Sequence, residues 1–155
     1  MQAPLTTDAP WDLEVTSRRM RLWAIVAAVV IVVIHIFLAI LVAIGDTGTA
    51  VTAIDQWGYF LAGLIFAGAA FAALWRPRIR ANKDGVEVRN FIGTKFYPWV
   101  VIYGLNFPQE ARIARLELPD FEYVQLWALQ QADGAECAKA VAKLRELEAK
   151  YMPKE

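Results

Sequence analysis

Histidine and cysteine are almost absent from this sequence of 155 residues, which contains one of each, His35 and Cys137. A structural zinc site usually takes four such ligands, so this composition excludes it. The chain also lacks the paired-histidine zinc motif, the serine nucleophile motif and the glycine-rich phosphate loop. We therefore predict no catalytic residue, no metal ligand and no cofactor, and a protein that is not an enzyme.

Net charge is also missing, because sixteen Lys and Arg residues balance sixteen Asp and Glu residues. A chain without net charge has no overall field that recruits nucleic acid, so nucleic acid is not expected as a partner. No motif indicates a specific small-molecule substrate. Two acidic pairs, Asp84 with Glu87 and Asp120 with Glu122, are interpreted as solvated turn residues, since a catalytic pair needs a cleft.

Charged residues are missing altogether from two long apolar stretches, residues 22–44 and 57–75. The first has twenty-three residues, which at about 1.5 Å per residue crosses a hydrocarbon core of about 30 Å. It is too long for a cleaved signal peptide. The second has Trp57 and Trp75 at its ends, where aromatic rings suit the headgroup level. We predict two transmembrane helices in an antiparallel hairpin, joined by an extracytoplasmic loop, residues 45–56.

The orientation follows from the basic residues that flank these stretches. The loop contains Asp46 and Asp55 but no Lys or Arg. Basic residues precede the first span and follow the second: Arg18, Arg19, Arg21, Arg76, Arg78, Arg80 and Lys83. The positive-inside rule then places both termini in the cytoplasm and the chain in the plasma membrane as a multi-pass protein. Residues 1–21 are expected to be a mostly disordered cytoplasmic tail, with Ser17 capping the first helix.

The last segment, residues 76–155, has the pattern of a small cytoplasmic domain. Alternating and β-branched stretches predict six or seven strands, at residues 78–81, 86–89, 95–97, 99–107, 112–118 and 123–129. An amphipathic helix follows, with Asp133 as its cap and Glu136 completing a capping box. Its apolar stripe includes Cys137, Leu144 and Leu147. The prediction is an α+β domain in which one C-terminal helix covers antiparallel strands.

That order of elements, together with four short segments, resembles a known family. The segments are RPRIR at 76–80, DGVEVRN at 84–90, YPW at 97–99 and ADG at 132–134. They are similar to the bacterial pleckstrin-homology (PH) domains of the low-molecular-weight protein antigen 6 type, found in actinobacteria. The resemblance implies a PH-like antiparallel barrel or sandwich with one C-terminal helix, preceded by two membrane spans. Such folds bind lipids, peptides or proteins, and Asp84 and Glu87 disfavour a specific phosphoinositide pocket.

Two groups of residues are the predicted contact sites. A set at the membrane surface is expected to meet anionic lipid: Arg76, Arg78, Arg80, Lys83 and Arg89. A second set is expected in helix packing: Gly63, Ala67, Ala70 and His35. His35 is open to two interpretations, a proton relay or haem ligand, or a neutral imidazole that bonds to the second helix or a partner, and we favour the latter. Cys137 is interpreted as a buried core residue rather than a reactive thiol.

Two functions are consistent with these features. The first is a non-enzymatic, membrane-anchored PH-like module that binds a membrane-protein partner at the inner leaflet by docking or strand addition. The alternative is a structural accessory subunit of a larger actinobacterial membrane complex, such as a respiratory assembly, held through its transmembrane helices. The two hypotheses differ in which part of the chain makes the contact, the soluble domain or the helices.

Overall fold

The structure is a computed structural model that describes residues 7–45 and 52–153. Its elements, in chain order, are β1 (Leu13–Val15), α1 (Arg18–Ile44), α2 (Ala53–Trp75), β2 (Arg78–Ala81), β3 (Gly85–Arg89), β4 (Thr94–Pro98), β5 (Gly104–Asn106), β6 (Ile113–Glu117), β7 (Tyr123–Gln130) and α3 (Ala135–Tyr151). They form two compact units, a helical unit of residues 21–75 and an α+β unit built from the chain on either side of it. Residues 46–51 of the predicted loop, with Asp46, and residues 1–6 of the predicted tail lie outside the described residues.

The two long helices contain the predicted spans and begin before them. With 27 and 23 residues, α1 and α2 are both long and apolar enough to cross a membrane. Many of their large apolar side chains remain exposed in the helical unit, among them Phe37 and Ile65. Soluble monomers rarely present apolar surfaces of this extent to water. The helical unit therefore needs a further apolar environment around it.

Two side chains cap the start of α1. The hydroxyl of Ser17 accepts a hydrogen bond from the amide of Met20 at 3.1 Å, which confirms the predicted cap. Asp133 accepts a bond from the amide of Arg19 at 2.9 Å. The prediction that Asp133 caps the C-terminal helix is therefore wrong, because its carboxylate satisfies a free amide of α1 instead. The C-terminal helix begins after Gly134, whose φ of 58° favours glycine.

A four-stranded antiparallel sheet has the order β1-β2-β3-β4. Leu13 pairs with Ala81 and Val15 with Ile79, so the strand that precedes both long helices forms the edge of this sheet. The expectation of a mostly disordered tail is wrong for residues 13–15. Three residues carry too weak a local pattern to predict a strand, and the partner that orders them lies about sixty-five residues later in the chain.

The second antiparallel sheet has the order β5-β6-β7. Its first strand is shorter than the predicted strand at residues 99–107, because Trp99–Val101 form a short 3-10 turn. Trp99 is buried there, and its indole nitrogen donates a hydrogen bond to the carbonyl oxygen of Asn82 at 2.8 Å. Burial of one large aromatic side chain thus overrides the local preference for an extended chain.

The core of the α+β unit lies between the two sheets and α3. Ile79, Leu116, Leu126 and Leu144 are among its fully buried side chains. The helix contributes three buried residues, which are Cys137, Leu144 and Leu147. This confirms the prediction that the C-terminal helix covers the strands with its apolar stripe.

Candidate functional site

The small residues of α2 lie where this helix packs against α1. Gly63 and Ala67 are buried, and Ala70 is half-buried. A Cβ atom on Gly63 would lie 2.7 Å from Cγ of His35, so a larger residue cannot occupy this position without a shift. The Nδ1 atom of His35 donates to the carbonyl oxygen of Ile31 in its own helix at 2.8 Å, rather than across to α2. Gly63 and His35 therefore lie in contact across the helix pair, and a role of the four residues in helix packing stays a prediction.

The basic residues predicted at the membrane surface do not form one cluster. Arg78 and Arg89 lie opposite each other in the β2–β3 register, and the exposed Arg76 precedes Arg78 by two residues. Arg80 is paired with Glu14, with Nε to Oε2 at 2.8 Å, and the same carboxylate lies 3.9 Å from Arg78. Lys83 lies in the turn at the other end of the hairpin, about 10 Å or more along the strands. The structure thus sets Lys83 apart from the arginines of β2 and β3.

The Arg78–Arg89 pair is electrostatically incomplete. The Nε atoms of both guanidinium groups are buried without a hydrogen-bond partner in the described structure. Arg78 has only long contacts to carboxylates, 3.9 Å to Glu14 and 3.7 Å to Glu87. Like charges directly opposite each other in a sheet are destabilising, and an unmet buried donor costs more.

An exposed aromatic side chain marks the turn between β6 and β7. Phe121 is fully exposed, at 104%, and both it and Asp120 adopt left-handed backbone conformations, with φ of 62° and 59°. A bulky non-glycine residue in this region is strained, and such strain is concentrated at functional sites. The amide of Leu118 donates to the carbonyl oxygen of Glu122 at 2.9 Å and closes the turn. The turn therefore holds Phe121 outward.

Two tyrosines lie at the same end of the three-stranded sheet as this turn. Tyr123 begins β7 opposite Glu117, and the amide of Tyr103 donates to the carbonyl oxygen of that same glutamate at 2.8 Å. Both tyrosines are exposed, and Arg115 lies over the ring of Tyr123 at 5.2 Å. We call Tyr103, Phe121 and Tyr123 the aromatic end of the sheet. Aromatic and arginine side chains are the residues most enriched at the centres of protein interfaces.

A groove of about 640 Å³ lies between the turn after β3 and the first half of β7. Phe91 packs against Trp127 in it, with ring centroids 4.9 Å apart. Tyr97 also lines the groove, and burial, followed by the charge of Glu122, raises the pKa of its hydroxyl. The lining residues include Lys95 but no acidic side chain. The groove is thus lined by aromatic, aliphatic and basic side chains.

The sequence profile of the bacterial PH domain family matches residues 76–147. The chain is also 34% identical, over 149 residues, to uncharacterized proteins of Mycobacterium tuberculosis and Mycobacterium bovis. Each alignment covers 95% of this chain and 96% of the mycobacterial protein. The chain belongs to the bacterial PH domain family. No solved structure matched it significantly.

The matched segment of this bacterial PH domain begins after α2, so it omits the edge strand Leu13–Val15. The similarity to the mycobacterial proteins covers nearly the whole chain and extends over both long helices. The family is typically a non-enzymatic module, and no enzyme family matches the chain. A non-catalytic module is therefore the function that the comparisons support.

A second cavity, of about 470 Å³, lies beside α3 in the PH domain and contains the only thiol. Burial, followed by the charge of Asp133, raises the pKa of Cys137, which disfavours the reactive thiolate. The walls carry charges of both signs, including Glu14, Arg18 and Lys143. Within residues 7–45 and 52–153, no three His, Cys, Asp or Glu side chains are placed to hold a metal ion. The cavity thus offers neither a nucleophile nor a metal site.

Sequence reasoning missed the aromatic end of the sheet, and it named Arg78 and Arg89 only as members of a larger basic set. A large apolar residue between Asp120 and Glu122, in a turn, was a usable signal for Phe121, because turns usually carry small or polar residues. The pairing of Arg78 with Arg89 follows only from the hairpin register, which the turn at residues 82–85 sets. The pairing of Arg80 with Glu14 could not be predicted from the sequence, since Glu14 belongs to the edge strand that was not predicted.

Proposed function

We propose that this bacterial PH domain protein is a non-enzymatic module anchored in the plasma membrane, and that it binds a protein partner through the aromatic end of its second sheet. The observation that carries the proposal is Phe121, held fully exposed on a strained but closed turn. An exposed large aromatic residue has a free-energy cost in water that binding removes.

Anchoring is supported by the two apolar helices and by the pairing of β1 with β2. These strands precede and follow the helix pair, yet they share one sheet. Strands that pair lie on the same side of a membrane, so the chain between them crosses it an even number of times. Two spans satisfy this condition. The basic residues on both flanks and their absence from the loop then favour the cytoplasmic side for the PH domain.

The residues around Phe121 favour a protein partner over the bilayer. Asp120 and Glu122 flank Phe121 and disfavour an anionic lipid surface. A protein surface with an apolar pocket fits this group of residues.

Docking of side chains is favoured over strand addition at β5. The amide of Leu105 on the outer edge of β5 donates to Oε1 of Glu148 at 3.3 Å. A side chain from α3 thus occupies a position that an added strand would use, which is a common protection of sheet edges.

The test is photo-crosslinking in living cells with a benzophenone amino acid at Tyr103, compared between Phe121→Ser and Ile92→Ser backgrounds. Ile92 is an equally exposed apolar residue on another turn, so it is a matched control. We expect one crosslinked protein in the wild type, lost with Phe121→Ser and kept with Ile92→Ser. The absence of any crosslinked protein, or equal loss in both backgrounds, would contradict the proposal.

The alternative is an accessory subunit of a larger membrane complex held through the helices. One observation favours it, since Gly68 lies exposed on α2 with no atom near the position of a Cβ. An open glycine surface lets a foreign helix approach closely. In this case Gly68→Ile would release the chain from the complex on a native gel, and Phe121→Ser would not.

A further inference from the structure

We infer that the turn between β3 and β4, residues 90–93, is a second membrane contact, in which Ile92 enters the headgroup region of an anionic leaflet while Arg78 and Arg89 bind lipid phosphates. This inference rests on the proposed anchoring through the helices. It is independent of the protein partner at the aromatic end.

The covalent chain keeps this turn close to the end of the second span. Only Arg76 and Pro77 separate Trp75 from Arg78, so the Cα atoms of Trp75 and Arg78 are at most about 11 Å apart. Arg78 is paired with Arg89, and the turn follows directly after Arg89. The turn is therefore tethered within reach of the bilayer surface.

The turn presents one aliphatic side chain on a fixed support. Ile92 is 95% exposed. The amide of Asn90 donates to the carbonyl oxygen of Gly93 at 3.0 Å, and its side-chain amide donates to the carbonyl oxygen of Gln125 at 3.1 Å. Phe91 packs on Trp127 behind the tip. Since these contacts order the turn in advance, insertion of Ile92 requires little further loss of conformational entropy.

The charges around the tip have the sign that an anionic leaflet requires. From Arg89 to Lys95 the chain carries two cations and no acidic residue. Arg78 and Arg89 lie opposite each other in the hairpin and are half-buried rather than enclosed, and a phosphate oxygen is a strong acceptor for a guanidinium group. The carboxylates near the pair are Glu14 and Glu87, at 3.9 Å and 3.7 Å from the guanidinium nitrogens of Arg78. These distances are long for ion pairs, so a phosphate can compete with the two carboxylates.

A lipid surface fits better than a protein at this site. Tyr123 lines the same groove as the turn, but Phe121 has acidic neighbours, whereas the turn has basic neighbours. Burial of apolar area and attraction of cations to anionic lipid are the two contributions that set the strength of interfacial binding, and the turn offers both. Because the full-length protein can be examined in vesicles without any protein partner, a lipid contact and a protein contact at this turn give different results.

The experiment uses full-length protein with Cys137→Ala, in vesicles of phosphatidylcholine alone or with phosphatidylglycerol. An environment-sensitive fluorophore is attached to Ile92→Cys or, as a control, to Lys83→Cys in the opposite turn of the β2–β3 hairpin. Spin-labelled lipids serve as quenchers. We expect quenching at Ile92→Cys, stronger in the anionic vesicles, and a water-like signal at Lys83→Cys.

Replacing both arginines by glutamine removes two favourable phosphate contacts. We expect Arg78→Gln with Arg89→Gln to lower the ratio of docked to undocked turns roughly 30-fold in anionic vesicles. Flotation with the vesicles should be unchanged, because the helices remain. If the protein floats but Ile92→Cys gives a water-like signal, the inference about the turn is wrong and the anchoring through the helices still stands. The inference is also wrong if quenching depends neither on lipid charge nor on the two arginine substitutions. A water-like signal that changes only when cell extract is added shows a protein site. Failure to float contradicts the anchoring itself.

Discussion

Leu144→Ala is expected to disrupt the PH domain selectively. Leu144 is 1% exposed and lies in the core cluster between α3 and the sheets. Truncation to alanine removes a buried side chain and leaves a cavity, which costs about 2–5 kcal/mol of unfolding free energy. For a unit of this size each kcal/mol corresponds to a melting shift of about 4–8 °C. We therefore expect the melting temperature of the domain to fall by roughly 10 °C or more.

The measurement must use the full-length chain in detergent, because a fragment that starts at Arg76 lacks the edge strand Leu13–Val15. Amide hydrogen exchange within β6 and β7 reports the unfolding free energy of the domain and is not affected by the tryptophans in the helices. A loss of 2 kcal/mol speeds exchange from the globally unfolded state about 30-fold.

Lys143→Ala is the matched control on the neighbouring position. Its side chain is exposed and its ion pair with Glu146, an exposed contact of 2.9 Å within one helix, adds little stability. We expect a change in exchange of less than about threefold, within the range of surface substitutions. Equal effects of the two substitutions would show that α3 is not a core element, and the packing argument would be wrong.

Three further predictions concern topology, titration and helix packing. Asp8→Cys should resist an impermeant maleimide on intact cells and react after permeabilisation, whereas Thr52→Cys should react on intact cells; the reverse pattern would invert the orientation. The pKa of Tyr97 is raised by burial and then by a nearby carboxylate, so its neutral form is favoured in the folded state. Its contribution to stability is fully present below the ordinary value near 10 and is lost as pH rises through the raised pKa. Tyr97→Phe should therefore remove a component of the tyrosinate absorbance titration that lies above the ordinary value. Gly63→Leu forces a side chain against the first helix and should destabilise the helical unit by about 1–3 kcal/mol in a detergent melt, while Gly68→Leu, where space is open, should not.

Strong local patterns allowed correct prediction of much of the fold. The β2–β3 hairpin and the apolar stripe of the C-terminal helix follow from periodicity and turn chemistry, which are properties of neighbouring residues. Ser17 was recognisable as a cap because it immediately precedes a long helical stretch. These features depend on interactions over a few residues and need no knowledge of the tertiary structure.

The features that the sequence did not reveal depend on distant partners. The edge strand is ordered by its pairing with β2, and the position of Asp133 depends on its hydrogen bond to the start of α1. The 3-10 turn depends on the burial of Trp99, which bonds to Asn82. The candidate site has the same character, because the Arg78–Arg89 pair requires the register and the exposure of Phe121 requires the backbone conformation of its turn. Neither the arginine pairing nor the exposure of Phe121 can be predicted from the composition.

The pairing of β1 with β2 has a consequence for the order of events during synthesis. The ribosome makes Leu13–Val15 before either long helix, and the residues that pair with this strand emerge only after both helices are complete. The first strand must therefore remain without its partner while the helices leave the ribosome and enter the bilayer. Closure of so long a loop is entropically unfavourable, but an antiparallel helix pair brings its two ends together. Formation of the complete sheet thus requires a correctly inserted hairpin. A chain that inserts only one helix leaves the two strands on opposite sides of the membrane, and its PH domain cannot form completely.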